Sequence, residues 1–298
     1  MLVPPTEGLK VVKYASGAGY APDQWARALV AVDWSQAELL SDKPGSSVWR
    51  AELVVQKRPM TLVIKCEPID SLKRKLQKLI HKTHAFRHWR GAALLMRHGF
   101  KTAEPKAIVY GRRDGTETEC LIMESLAGKT VLQHLAAGDL GVGEEHAVAR
   151  ACGRMFAMMW DKALTNSDSK PSNLLLRQSG PTPELGVIDS VGVRAHREFL
   201  PGFDAVDDGD CWLMLRDLML EPAGTGCLPR RSIRMRILRA IWESGRQREM
   251  GDSKALQKWR GWRREWWEQV ESLVQAHGDP TPKHDPLGGA GSPPLQEN

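Results

Sequence analysis

The stretch from Leu164 to Ser190, LTNSDSKPSNLLLRQSGPTPELGVIDS, constrains this chain more than any other. It reads as a polar loop, a short apolar strand at Leu174, Leu175 and Leu176, a Pro/Gly turn, and a second strand ending at Asp189. Two strands joined by a short turn pair as an antiparallel hairpin, so the start of the first and the end of the second lie at one end of the pair. Asp168 and Asn173, five apart on the loop, would share that end with Asp189. Asn, Ser, Asp, Pro and Gly also build turns that carry no chemistry, and on this stretch alone both readings stand.

The chemical reading is phosphoryl transfer. One carboxylate must receive or orient the attacking hydroxyl, while an amide oxygen and a second carboxylate hold the Mg²⁺ that neutralises the phosphates. Asp168-Ser-Lys-Pro-Ser-Asn173, followed by Ile188-Asp189-Ser190, has the Asp-x-x-x-x-Asn…Asp spacing that protein-kinase-like enzymes use.

Upstream, the pattern is one of strands. Residues 1–20 are rich in Pro and Gly and read as an irregular lead-in, and Pro22 to Val32 reads as a short amphipathic helix with Trp25, Leu29 and Val32 on one side. A turn at Asp42-Lys43-Pro44-Gly45-Ser46-Ser47 precedes the alternating segment Val48 to Val55, and a second turn at Lys57-Arg58-Pro59 precedes MTLVIKC, Met60 to Cys66. Lys65 inside that apolar run is costly unless its ammonium group meets an anion; the alternative is a strand-end lysine turned to solvent. Ser46 and Ser47 lie in a turn that could cradle phosphate, although it lacks the G-x-G-x-x-G pattern. Ser71 to Phe100 reads as one long helix or two shorter ones, capped by Asp70 or Ser71 and stopped by Gly99, with Leu72, Leu76, Leu79 and Ile80 as its first apolar stripe. Ala107 to Tyr110 and CLIM, Cys120 to Met123, are further strands, and Met123-Glu124-Ser125-Leu126 reads as a connection.

From Thr130 the chain turns helical. Glu144 to Met159 places Val148, Cys152, Met155, Phe156 and Met159 on one face, and Met158, Met159 and Trp160 are read as core. Helices follow at Cys211 to Leu220, Ser232 to Ser244 and Ser253 to Ala276. The last of these carries Trp259, Trp262, Trp266, Val270 and Leu273 on one face, a face normally buried in its own domain, the alternative being a membrane-surface helix. From about Gly278 the sequence lacks apolar periodicity and reads as a disordered tail.

Composition limits the classes. With 42% hydrophobic and 26% charged residues the chain reads as soluble and globular, without an apolar run of the roughly 18–20 residues that would span a bilayer. The five cysteines are scattered without a CxxC pair, and no secretory signal is legible at the N-terminus, so a cytosolic protein with reduced thiols is expected. The net charge is +6, and no acidic residue occurs from Ser71 to Ala103, a stretch holding Lys73, Arg74, Lys75, Lys78, Lys82, Arg87, Arg90, Arg97 and Lys101. Such a run is either a solvated helix face or a surface for something anionic: a phosphorylated glycolipid, a membrane surface or nucleic acid.

The order of these features resembles the protein-kinase-like superfamily, in particular the bacterial lipopolysaccharide core kinases that phosphorylate Kdo or heptose. The likeness is carried by S-S-V-W-R-A-E-L, V-I-K and F-R-H-W-R-G-A-A-L-L-M-R-H-G-F-K-T-A-E-P together with Asp168, Asn173 and Asp189, and spans roughly residues 35–245. It implies an α+β, two-lobed fold: a lead-in over 1–34, an antiparallel-sheet N-lobe over 35–123, a helical C-lobe over 124–276 and a tail over 277–298. It further implies ATP with Mg²⁺, transfer to a sugar hydroxyl of a glycolipid acceptor rather than binding of nucleic acid, and a cytoplasmic location at the inner membrane face. By position, Lys65 would bind the nucleotide phosphates, with Ser46 and Ser47 in the phosphate turn and Met123, Glu124 and Ser125 against the adenine. Asp168 would act on the acceptor hydroxyl, Lys170 would touch the γ-phosphate, and Asn173 and Asp189 would hold the metal. Three departures stand out. Asn166 takes the place of a loop-bracing histidine, S-V-G follows Asp189 in place of F-G, and the helix expected to pair a glutamate with Lys65 has no acid, leaving Glu67 as a substitute. Alternatives are a pseudokinase that uses its basic face for binding, and an aminoglycoside- or choline-type phosphotransferase. Nothing in the sequence bears on oligomeric state.

Overall fold

The computed structural model describes residues 4–16, 19–177, 182–196, 209–246, 261, 264–269 and 271–272. The chain divides into two compact units, residues 1–96 with 102–126, and residues 97–101 with 127–298.

The first unit is built on β1 (Glu7–Tyr14), α1 (Pro22–Val30), β2 (Glu38–Lys43), β3 (Ser46–Val55), β4 (Arg58–Pro68), α2 (Leu72–Leu79) and α3 (His84–Arg97). After β5 (Lys101–Thr102) come β6 (Pro105–Arg113) and β7 (Thr116–Glu124), giving a six-stranded sheet in the order β1-β6-β7-β4-β3-β2. The turn residues explain the hairpins. Pro44 presets one turn residue and Gly45, at φ 75°, supplies the left-handed one, while Gln56 and Lys57 (φ 51° and 64°) and Asp114 and Gly115 (φ 51° and 77°) form two-residue turns that match strand twist. The second turn therefore falls one residue earlier than expected, and Arg58 and Pro59 begin β4. The lead-in is also more ordered than its composition suggests. Glu7–Tyr14 pairs with β6 across two register shifts, and Leu9 and Val11 pack on the core.

Alternation along β4 separates two faces. Leu62, Ile64 and Cys66 join Trp25 and Leu29 of α1 in one apolar cluster, while Ile108, Tyr110, Leu121 and Met123 pack with Ala85 and Phe86 of α3 in a second. Lys65 and Glu67 take the intervening positions of β4. The basic segment is two helices. Ser71 caps α2 by accepting the Arg74 N–H at 3.3 Å, and Gly99, at φ 80°, terminates the turn after α3. The stripe Leu72, Leu76, Leu79 and Ile80 is not core, because all four side chains are exposed.

The second unit contains β8 (Lys129–Thr130), α4 (Val131–Ala137), α5 (Val142–Asp161), β9 (Leu164–Asn166), a 3₁₀ turn (Pro171–Asn173), β10 (Leu174–Arg177), β11 (Glu184–Val187), β12 (Val193–Ala195), α6 (Gly209–Gly224) and α7 (Arg231–Arg246). Strands β8, β10 and β11 lie in one sheet, with β5, whose Lys101 belongs to this unit, next to β11; β9 pairs with β12. Val148, Cys152, Met155, Phe156 and Met159 of α5 are buried as their spacing predicts, whereas Met158, one residue out of phase, is half exposed. Trp266 is buried, as a face packed within its own domain requires; Trp259, Trp262, Val270, Leu273 and the tail lie outside the described residues.

Helices α5 and α7 pack closely at Gly153, where an added Cβ would stand 2.4 Å from the Ile237 carbonyl oxygen and 2.7 Å from the Ala240 Cβ. Gly153→Ala is expected to cost about 1–3 kcal/mol through overpacking against backbone. Gly143→Ala, near the start of the same helix with nothing within 4 Å, should be neutral or stabilising by up to about 1 kcal/mol. Urea denaturation of the two variants checks the contrast.

Candidate active site

The residues singled out from the sequence fall into two groups, one in each unit. In the second unit, β10 and β11 form the expected hairpin, with Leu174 opposite Val187 and Arg177 opposite Glu184. The Ile188 N–H donates to the Asn173 carbonyl at 3.0 Å, extending the pairing by one step and bringing Asn173 and Asp189 to the same end. Asp168 is oriented by both its oxygens. Oδ2 accepts from Asn173 Nδ2 at 2.9 Å, and Oδ1 meets Lys170 Nζ at 2.6 Å. Burial alone would lower the Lys170 pKa, but the hydrogen bond and charge of Asp168, with the charges of Glu221 and Asp217, outweigh it and raise the pKa, so the ammonium form is favoured.

Two local devices hold this loop. Asn166, buried on β9, accepts the Asp168 N–H on Oδ1 at 3.2 Å, and its carbonyl accepts the Ser169 hydroxyl at 2.8 Å. Bracing is thus supplied by an amide that folds back on the loop, which accounts for the departure at this position. Glu221, on α6, accepts from the Ser172 N–H at 2.7 Å and the Ser172 hydroxyl at 2.5 Å, fixing the turn that carries Asn173. Gly192 follows from crowding, since a Cβ there would lie 2.7 Å from Asn166 Oδ1 and 2.9 Å from the Asp168 nitrogen. Neither Glu221 nor Gly192 is singled out by sequence. Glu221 lies 49 residues from its partner, although the glycine after Asp189 was visible as part of S-V-G.

The donor set suits Mg²⁺. Carboxylate recognition of Asn173 uses its amide nitrogen, which leaves the harder Oδ1 as the atom offered to a cation, and the Asp189 carboxylate stands at the same hairpin end. Asp189 is itself positioned by the Val191 N–H, which donates to its Oδ1 at 3.1 Å. Among the described residues no cluster of three or more His, Cys, Asp or Glu could hold a metal, and a pair of oxygen ligands completed by phosphate oxygens is how Mg²⁺ is commonly bound.

In the first unit, Lys65 lines a small pocket with Glu67, His84, Ala85, His88, Glu119 and Leu121. The register derives this grouping: Lys65 stands opposite Leu121 and Glu67 opposite Glu119, all on the face turned to α3. Glu119 is buried, and its oxygens accept the Thr83 hydroxyl at 2.6 Å and the Ala85 N–H at 3.4 Å, at the N-terminus of α3. His84 Nδ1 lies 3.6 Å from Glu67 Oε1. The helix carries no acid, yet the pocket has two, both from strands. Glu67 is the acid the sequence places near Lys65; Glu119 is not singled out by sequence, although its two-residue spacing from Leu121 puts it on the same strand face. Ser47 is buried and its hydroxyl accepts Trp49 Nε1 at 3.1 Å, while Ser46 opens β3 directly after the Pro44-Gly45 turn. Met123 is buried at the end of β7, and Glu124 and Ser125 lead to the passage from the first unit to the second after Leu126.

Residues 67–191 match the sequence profile of the lipopolysaccharide kinase (Kdo/WaaP) family. The match covers 125 of the chain's 298 residues. It contains Asp168, Lys170, Asn173 and Asp189 and starts just after Lys65. The family described by that profile is the one the sequence resembles, and the arrangement of antiparallel sheet followed by helices is the α+β architecture expected. No curated protein matches the sequence significantly. Among solved structures, "WaaP in complex with acyl carrier protein" aligns at 16% identity and a TM-score of 0.49, covering 80% of this chain and 89% of that one.

Burial raises the Glu119 pKa above the ordinary carboxylate value, with its hydrogen bonds opposing the shift. The folded state therefore favours protonated Glu119, and the stability this confers is present below the ordinary glutamate pKa and lost as pH rises through the raised folded value. Glu119→Gln should flatten that dependence in urea midpoints measured from about pH 4 to 7. It should also cost about 1–3 kcal/mol, because an amide nitrogen cannot accept from Thr83 or Ala85.

Proposed function

We propose that this protein is an ATP- and Mg²⁺-dependent phosphotransferase whose acceptor is a sugar hydroxyl of a lipopolysaccharide-core-like glycolipid. The observation that carries the reading is the orientation of Asp168, held from both sides by Asn173 and Lys170 inside the segment that matches the Kdo/WaaP kinases. Asp168 receives the proton of the acceptor hydroxyl as oxygen attacks phosphorus. Lys170, kept in its ammonium form, offsets negative charge gathering on the transferred phosphoryl group. Asn173 Oδ1 and Asp189 would hold Mg²⁺, which supplies charge neutralisation at the phosphates. Lys65 binds the phosphates of the nucleotide, with Glu67 and Glu119 on the same sheet face to set its position. The acceptor assignment rests on the family alone. The strand acids around Lys65 favour a working site over a pseudokinase, since they supply the carboxylates that α3 lacks.

Asp168→Asn should lower kcat by about 10²–10⁴-fold while nucleotide affinity changes little, because the residue makes no direct metal bond in this mechanism. Thermal shift with ATP should require Mg²⁺, disappear with a chelator, and be lost in Asp189→Asn. Turnover on Kdo- or heptose-containing glycolipids tests the acceptor. Unchanged turnover in Asp168→Asn removes the catalytic assignment, and a Mg²⁺-independent shift or none at all returns the protein to the binding-module reading.

A further inference from the structure

Helix α2 is turned inside out relative to a helix packed on a core. Leu72, Leu76, Leu79 and Ile80 recur at the spacing of one helical face, and their exposures are 75%, 54%, 75% and 58%. The opposite side is the one that meets the protein. Arg74 donates to the Pro68 carbonyl, and Lys78, one turn on, pairs with Glu117 and lies 4.5 Å over the Tyr110 ring. At about 100° per residue, Lys73 and Lys75 fall on the two borders of the leucine stripe, and exposed Lys82 follows it. A single exposed leucine is ordinary; four contiguous ones fringed by lysines form a surface that calls for a partner.

We propose that α2 docks this protein onto an anionic membrane surface. The four apolar side chains enter the boundary between headgroups and acyl chains, and Lys73, Lys75 and Lys82 meet lipid phosphates, while Arg74 and Lys78 keep the helix fastened to the sheet. Charge complementarity selects this occupant. No acidic residue lies between Ser71 and Ala103 to repel an anionic leaflet. A second copy of the chain seated on the stripe about a two-fold axis would set lysine against lysine. Nucleic acid would use the lysines but leave the leucines in water. The inference goes beyond the phosphotransferase reading and stands independently of it, because its test measures no turnover.

The test is co-sedimentation of the full-length protein with vesicles of phosphatidylglycerol and phosphatidylcholine, compared with phosphatidylcholine alone. Wild type is expected to sediment with the anionic vesicles, much less with the neutral ones, and less as salt is raised. Leu72→Ser/Leu76→Ser/Leu79→Ser and, separately, Lys73→Glu/Lys75→Glu should each lower partitioning by about tenfold or more, with unchanged melting temperature because these side chains are exposed. Should the triple variant melt early, Leu72→Ser alone must still show reduced partitioning. Wild type left in the supernatant, equal partitioning of the variants, or equal binding to neutral vesicles overturns the proposal. So does vesicle-free self-association that the serine variant abolishes, which would assign the stripe to a second copy.

Discussion

The first unit turns on one buried carboxylate. Glu119 is buried on the strand face turned to α3, which it shares with Lys65, Glu67 and the apolar Leu121 and Met123, and an unpartnered charge buried there would be costly. It is tolerable because α3 begins directly against it. The Thr83 hydroxyl and the Ala85 N–H at the helix start are donors without an intrahelical partner, and the carboxylate satisfies them. The same contact fixes where α3 starts, and with it where His84 and His88 project toward Lys65 and Glu67. In the proposed phosphotransferase reading, the helix acid that reaches to a strand lysine in protein kinases is replaced by strand acids, one of which grips the helix. Helix position and lysine environment remain linked, with the carboxylate on the other partner.

The second unit applies similar economy to its loop. Asp168, Asn173 and Lys170 lie within one short segment, and Asp168 binds both of the others, so the groups proposed to act are also the scaffold. What they cannot provide is the path of the backbone. Asn166 closes the loop from the strand side, Glu221 secures its turn from α6, and Gly192 leaves the space through which the loop passes. A change at any of these would act on Asp168 through position, without touching a reacting atom.

What was legible in the sequence was what depends on near neighbours. The hairpin from Leu174 to Val187, the caps at Ser71 and Gly99 and the buried face of α5 all follow from spacing and turn chemistry within a few residues. Asp168 and Asn173 were recognisable because their contact spans five positions. Glu119 and Thr83 are 36 residues apart, and Ser172 and Glu221 are 49 apart, so no local pattern announces either bond. The strand at Glu7–Tyr14 was hidden differently. Its alternation is interrupted by two register shifts, and its order comes from pairing with β6, a partner nearly a hundred residues away.

Helix α2 marks a sharper limit of periodicity. A stripe of leucines shows that a helix has two unlike faces, but which one turns inward is decided by what the neighbouring surface offers. Around α2 that surface presents the Pro68 carbonyl, the Glu117 carboxylate and the face of Tyr110, all of which favour cations over hydrocarbon. Arg74 and Lys78 answer them, and because they are four residues apart they commit the entire polar side of the helix inward. The leucines are then outward by geometry. Their exposure is a consequence of the same contacts that hold the helix in place, so it persists whether or not a partner is bound.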